Sequence, residues 1–155
     1  MTAPLFCCNI TNIDKMANSN TVEVKWMEGL CFETGIMGHK IILESGPDPK
    51  ENYRGPGPKQ LMLSALGGCT GMDVVSILKK MNQKIEYFNV SVEGFLTEEH
   101  PKHYYKLHLI FEIKGKNIDI EKVKHAISLS EEKYCGVWAV YKKTMGITWE
   151  IKLLE

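Results

Sequence analysis

From Gly55 to Met81 the chain reads GPGPKQLMLSALGGCTGMDVVSILKKM, and no other stretch limits the fold so tightly. Pro58 suits the first turn of a helix, where a missing N–H costs nothing. Beyond it Leu61, Ala65, Gly68, Met72 and Val75 share one side, while Leu63, Leu66, Val74, Ile77 and Met81 fill others. The spacing predicts a helix from Pro58 to Met81, apolar all round and therefore buried at the centre of the fold. Its middle holds Gly67 and Gly68, each costing about 1 kcal/mol relative to alanine in a helix interior. Something must gain from the missing side chains. The pair bares a strip of backbone beside Cys69, along which another helix or a ligand can approach. The same glycines also suit plain close packing, with Cys69 a small buried hydrophobe, as free cysteines usually are.

Around this helix the chain is built mostly of strands. TVEVKW alternates Val22, Val24 and Trp26 with polar residues, as a half-buried strand requires, and CFETGIMGHKIILE offers two more short strands around Gly35 and Gly38. After the polar break NQK come YFNVSVEGFL and HYYKLHLIFEIK, linked as a hairpin through EEHP; in the second of these Tyr105, Leu107, Leu109, Phe111 and Ile113 line one face. NIDIEKVKHAISLSEEKYC places Ile120, Val123, Ile127 and Tyr134 at helical spacing behind Asp119 as cap. GVWAVYKK reads as a short helix, and ITWEIKLL as the closing strand. Strands, helix, strands, helix, strand favour an α+β domain with antiparallel sheets packed around the central helix. Residues 1–20 lack periodicity and read as a flexible N-terminal extension, leaving 21–155 as a single domain.

Charge is balanced, with 19 basic and 19 acidic residues and no basic block, so nucleic acid is not an expected partner. The start MTAPLFCCNI is a poor secretory signal and no membrane span is expected, so the protein should be cytoplasmic. Five cysteines, Cys7, Cys8, Cys31, Cys69 and Cys135, make an odd number without a C-x-x-C pair. That argues against a secreted disulfide framework and a zinc cage, and no cofactor or metal is expected. Thiol chemistry here would be redox or nucleophilic. Between Glu44 and Pro58 the fifteen residues ESGPDPKENYRGPGP carry four of the six prolines, a long loop whose Arg54 is the sole arginine of the chain.

The P-x-x-L…GGC helix, the strand pair after it, the second cysteine in SEEKYCGVWAVYKK 66 residues after the first, and the closing strand together resemble the OsmC/Ohr family. These are the osmotically induced and organic-hydroperoxide-resistance proteins. The resemblance runs from about Thr21 to the end, and the GGCTGMDVV form is similar to an OsmC-like branch outside the two well-defined peroxidase branches. It implies an intertwined homodimer with a thiol site at the subunit interface. It also implies a chemistry in which Cys69, as a thiolate, attacks the O–O bond of an organic hydroperoxide and becomes a sulfenic acid. Cys135 then condenses with it to a disulfide that a dithiol such as a lipoyl group reduces.

A reactive cysteine needs a nearby cation to hold it ionised, and Arg54 is the candidate. Family peroxidases orient such an arginine with a glutamate at the start of the helix; this chain has Pro58-Lys59-Gln60 there, so that anionic partner is missing. Asp73, four residues beyond Cys69 and on nearly the same helix face, would raise the thiol pKa. These departures keep a second reading open, an OsmC-like dimer that binds a small apolar or electrophilic molecule at its interface without efficient turnover. A structural dimer with inert thiols is the third.

Overall fold

The computed structural model describes residues 19–46 and 53–155. The expected extension, apart from its last two residues, lies outside them, as do Cys7, Cys8 and positions 47–52 of the proline-rich loop. Two compact units divide the chain, Met1–Gly55 and Pro56–Glu155.

The first unit is a three-stranded antiparallel meander of β1 (Glu23–Glu28), β2 (Cys31–Ile36) and β3 (His39–Glu44), with β2 central. Ile36 pairs with His39, so only Met37 and Gly38 form the turn between β2 and β3. Both take positive φ, 50° and 83°, the twist that a two-residue hairpin demands. The half-buried β1 predicted from alternation is not observed: every residue of β1 is exposed, Trp26 by 62%. Alternation marks a strand with one apolar face, and among the described residues of its own unit no element packs on that face.

The second unit holds the core. α1 (Pro58–Lys80) packs on β4 (Lys84–Leu96) and against α2 (Ile120–Leu129) and α3 (Gly136–Tyr141). β4 and β5 (Tyr104–Lys116) form a long antiparallel pair, and β6 (Gly146–Leu153) joins β5 in parallel. That parallel pairing departs from an all-antiparallel sheet and follows from the α2–α3 connection, since parallel neighbours need a crossover. The α+β class itself holds. Asp119 caps α2 as expected, its carboxylate accepting from the amides of Glu121 and Lys122.

Length and composition alone would let α1, at 23 residues, cross a bilayer. Within its unit, however, Leu66, Thr70, Val74 and Leu78 form a sealed stripe at helical spacing. Within this unit the central helix is sealed along that one stripe. A Cβ on Gly67 would stand 3.0 Å from Val92 Cγ2, so this glycine lets α1 close onto β4. Gly68 has nothing within 4 Å and borders a groove of about 660 Å³ lined also by Gly71, Met72, Val75 and Phe88.

The inward face of β5 is Tyr104, Leu107, Leu109, Phe111 and Ile113. Tyr105, which strict alternation places inside, is 52% exposed. The pairings Leu96↔Tyr104 and Phe95↔Lys106 leave Tyr105 as the extra residue of a β-bulge, which shifts the phase of the strand by one. Phe111, sealed in the core with its ring 6.3 Å from Phe88 and 6.4 Å from Trp149, is the test position. Phe111→Ala is expected to cost about 3–5 kcal/mol in urea unfolding, and Tyr105→Ala no more than about 0.5 kcal/mol; a larger loss at Tyr105 would contradict the bulge.

Candidate functional site

Cys69 and Asp73, at i and i+4, project from the same face of α1. Facing them is the joint between α2 and α3. There the backbone leaves the α-helix for a π-turn, Ser130–Tyr134, in which the Cys135 amide donates to the Ser130 carbonyl at 2.8 Å. Such a wide turn inserts a residue into the helical ladder and is common near functional positions. Its effect is local and visible: Ser130 is buried and points its hydroxyl at Asp73, donating to Oδ2 at 2.8 Å. The chain then extends for one residue, and Cys135 becomes the N-cap of α3.

The two cysteines predicted as a pair are thus brought together. The Sγ atoms of Cys69 and Cys135 and a carboxylate oxygen of Asp73 all lie within 4.8 Å of one another. Both thiols are free; Cys135 is buried and Cys69 half-buried. Hydrogen bonds fix the deeper sulfur. The Thr70 hydroxyl donates to Cys135 Sγ at 3.5 Å, and the Trp138 amide donates to it at 3.3 Å. The preceding amide, of Val137, donates to Cys69. Adjacent amides at the start of α3 therefore reach one sulfur each.

Cys69 nevertheless rests as a thiol. Burial pushes its pKa above the ordinary thiol value, the hydrogen bond with Cys135 and the charges of Cys135 and Asp73 push the same way, and the Val137 amide offsets them only in part. The rise due to Asp73 is in the direction its spacing predicts.

Arg54 lies in the first unit. Its guanidinium donates through Nη1 to Glu28 Oε1 at 2.9 Å and through Nη2 to Glu44 Oε1 at 3.0 Å, and its Nε and amide both reach Glu44 Oε2. The arginine holds Glu44 below the usual carboxylate range, first through the side-chain hydrogen bond, and the two carboxylates in turn raise the guanidinium pKa further. The anions that hold Arg54 are thus Glu28 on β1 and Glu44 on β3. Glu44 could have been suspected as the acid that opens the arginine's loop; Glu28 carried no signal. Thr70 and Ser130 were also missed, because a hydroxyl inside a helix pattern looks like any neutral helix residue until its partner is known.

Residues 48–150 match the family model described as OsmC-like protein. Protein YhfA of Escherichia coli strain K12 is 36% identical over 126 residues, which cover 81% of this chain and 91% of YhfA. Among solved structures, a hypothetical protein from Aquifex aeolicus VF5 is 29% identical with a TM-score of 0.76, over 89% of this chain and 99% of that one. The organic hydroperoxide resistance protein OhrB of Bacillus subtilis, at 17% identity and a TM-score of 0.59, over 86% of this chain and 98% of its own, shares the fold. With its helix, its strand pair and its closely set cysteines accounted for, the chain belongs to the OsmC-like family.

Proposed function

We propose that this protein is a thiol-dependent peroxidase that reduces small organic hydroperoxides at Cys69 and Cys135 in the cytoplasm. The observation that carries the reading is the approach of two free sulfurs, 66 residues apart in sequence, to within 4.8 Å. The Cys69 thiolate attacks the terminal oxygen of R–O–O–H; the O–O bond breaks, the alkoxide leaves and takes a proton as ROH, and the sulfur is left as S–OH. The Cys135 sulfur then displaces hydroxide from Cys69, which departs as water with the Cys135 proton, and a Cys69–Cys135 disulfide results. A dithiol reductant, attacking that disulfide and closing to its own, returns both thiols. No cofactor enters these steps.

Arg54 enters the proposal as the cation that stabilises the thiolate, on the family resemblance and on its place as the only arginine of the chain. A second copy is proposed to seat its own α1 against the open groove beside Gly68, Gly71 and Met72, since an apolar helix buried along one stripe needs a further cover. The alternative, a dimer that binds an apolar or electrophilic molecule without turnover, is favoured by the raised pKa of Cys69 and by the carboxylate beside it.

Mixing the fully reduced protein with cumene hydroperoxide is expected to remove two free thiols per chain, and none in Cys69→Ser. Cys135→Ser should accumulate a sulfenic acid that dimedone traps; unchanged thiols in the parent protein move the reading to the binder. Arg54→Lys is expected to slow oxidation at neutral pH, and an unaltered pH–rate profile would take Arg54 out of the mechanism.

The carboxylate sets the pH dependence. Because Asp73 raises the Cys69 pKa, its removal in Asp73→Asn must shift the thiol titration downward and enlarge the thiolate fraction at neutral pH. Alkylation of Cys69 by iodoacetamide, followed against pH, is expected to rise at lower pH in Asp73→Asn than in the parent, and an identical profile would contradict the electrostatic role. In light scattering the parent should be a dimer and Met72→Glu a monomer; a monomeric parent would end the proposed pairing of helices.

A further inference from the structure

Asp73 is out of place in a pure redox device. A carboxylate beside two sulfurs opposes any negative charge that develops on them, so a dithiol that only reduces peroxide would do better without it. Yet it is held there. Ser130, itself fully buried, donates its hydroxyl to Oδ2 at 2.8 Å, and the π-turn that carries Ser130 is the same turn that delivers Cys135. The fold therefore fixes two sulfurs and one anionic oxygen around a common point, all three donor atoms within 4.8 Å of one another.

We propose that Cys69, Asp73 and Cys135 form a three-ligand site for a thiophilic divalent cation, zinc foremost, through two sulfurs and one carboxylate oxygen. Two thiolates and a carboxylate are a soft, anionic set that suits zinc and disfavours magnesium and calcium, which take oxygen ligands. Ligands on a tetrahedral zinc stand roughly 3.5–3.8 Å apart, given bond lengths of about 2.0–2.3 Å. With all three donor atoms already within 4.8 Å of one another, the inward adjustment needed is at most about 1 Å. Cys69 and Asp73 reach the point from one helix face at i and i+4, a spacing that sets two ligands on one ion in other metal helices. Cys135 enters from the facing joint between α2 and α3, and the fourth position is left to water or an exogenous ligand.

The outer partners of such a site are present as well. Ser130 orients the carboxylate and Thr70 donates to the Cys135 sulfur at 3.5 Å, the kind of second contact that aligns metal ligands. Binding involves no redox change: one divalent cation replaces the two thiol protons, which go to solvent, and the complex carries a net charge of −1. Because both thiolates are then engaged, metal and disulfide exclude each other. Oxidation of the pair expels the ion, and the bound ion shields the pair from peroxide.

The expectation of no metal site rested on the lack of a C-x-x-C pair; here the third ligand, Cys135, joins Cys69 and Asp73 by folding, from 66 residues beyond Cys69. The proposal does not rest on peroxidase activity, and its test contains no peroxide. The full chain, metal-free and fully reduced under nitrogen, is titrated with cobalt(II) as a spectroscopic stand-in for zinc. One cobalt per chain should bind with thiolate-to-metal charge-transfer absorption and the visible bands of a tetrahedral ion, and zinc should displace it. Calorimetry with zinc in two buffers should show two protons released per ion. Asp73→Asn is expected to weaken binding at least about tenfold, with Ser130→Ala moving the same way by a smaller factor. Cys69→Ser should lose at least about half of the charge-transfer intensity, since one of the two sulfur ligands is gone, and circular dichroism with a thiol count confirms that each variant is folded and reduced. Should Asp73→Asn fail that check, Ser130→Ala decides the role of the carboxylate. No cobalt spectrum in the parent, an undiminished one in Cys69→Ser, or equal affinity in the folded carboxylate variants would overturn the proposal. Metal binding in this titration, beside a separate failure of the metal-free reduced chain to lose thiols to cumene hydroperoxide, would sink the peroxidase reading and leave this one standing.

Discussion

The contact between Cys69 and Cys135 depends on one constraint: the α2–α3 joint must stay pressed against the middle of α1. Two features enforce it. Leu66, Thr70, Val74 and Leu78 seal one stripe of α1 in the core with Val123, Ala126, Ile127 and Trp138 of the later helices. Within that apolar seam the polar groups are satisfied by one another, Thr70 and the Trp138 amide on Cys135 and Ser130 on Asp73. A buried polar group without a partner is costly, so each of these bonds selects the packing in which the others can form.

That arrangement brings two sulfurs together but does not by itself make them reactive. Burial, which the close contact requires, penalises the thiolate of Cys69, and Asp73 adds to the penalty. The opposing influence within the second unit is the Val137 amide at the start of α3. A peroxidase must overcome that balance with positive charge, whereas a metal centre would use the same three groups without conflict. The chemistry of the site therefore turns on which cation reaches it.

Much of the fold was legible from residue patterns. Pro58 at a helix start, the alternation of Leu107, Leu109, Phe111 and Ile113, and Asp119 ahead of α2 are local signals, and local physics decides them. The pairing of Cys69 with Cys135 came from family resemblance, because nothing local relates residues 66 positions apart. What escaped was set by tertiary geometry. A bulge exchanged Tyr104 for Tyr105 on the inner face, and a π-turn took over where periodicity continued an α-helix to Tyr134. The two glycines proved different in kind, Gly67 permitting contact with β4 and Gly68 facing an open groove. Arg54 found its carboxylates on β1 and β3, a tertiary match that no spacing rule anticipates.

Everything above depends on these two sulfurs being neighbours in solution. The direct measurement is a disulfide map: brief treatment of the native, reduced chain with diamide, quenching by alkylation, digestion, and mass spectrometry of the linked peptides. The account predicts a dominant cross-link joining the peptide of Cys69 to that of Cys135. Cross-links that instead engage Cys31 or the N-terminal cysteines, with Cys69 and Cys135 each recovered alkylated, would contradict it.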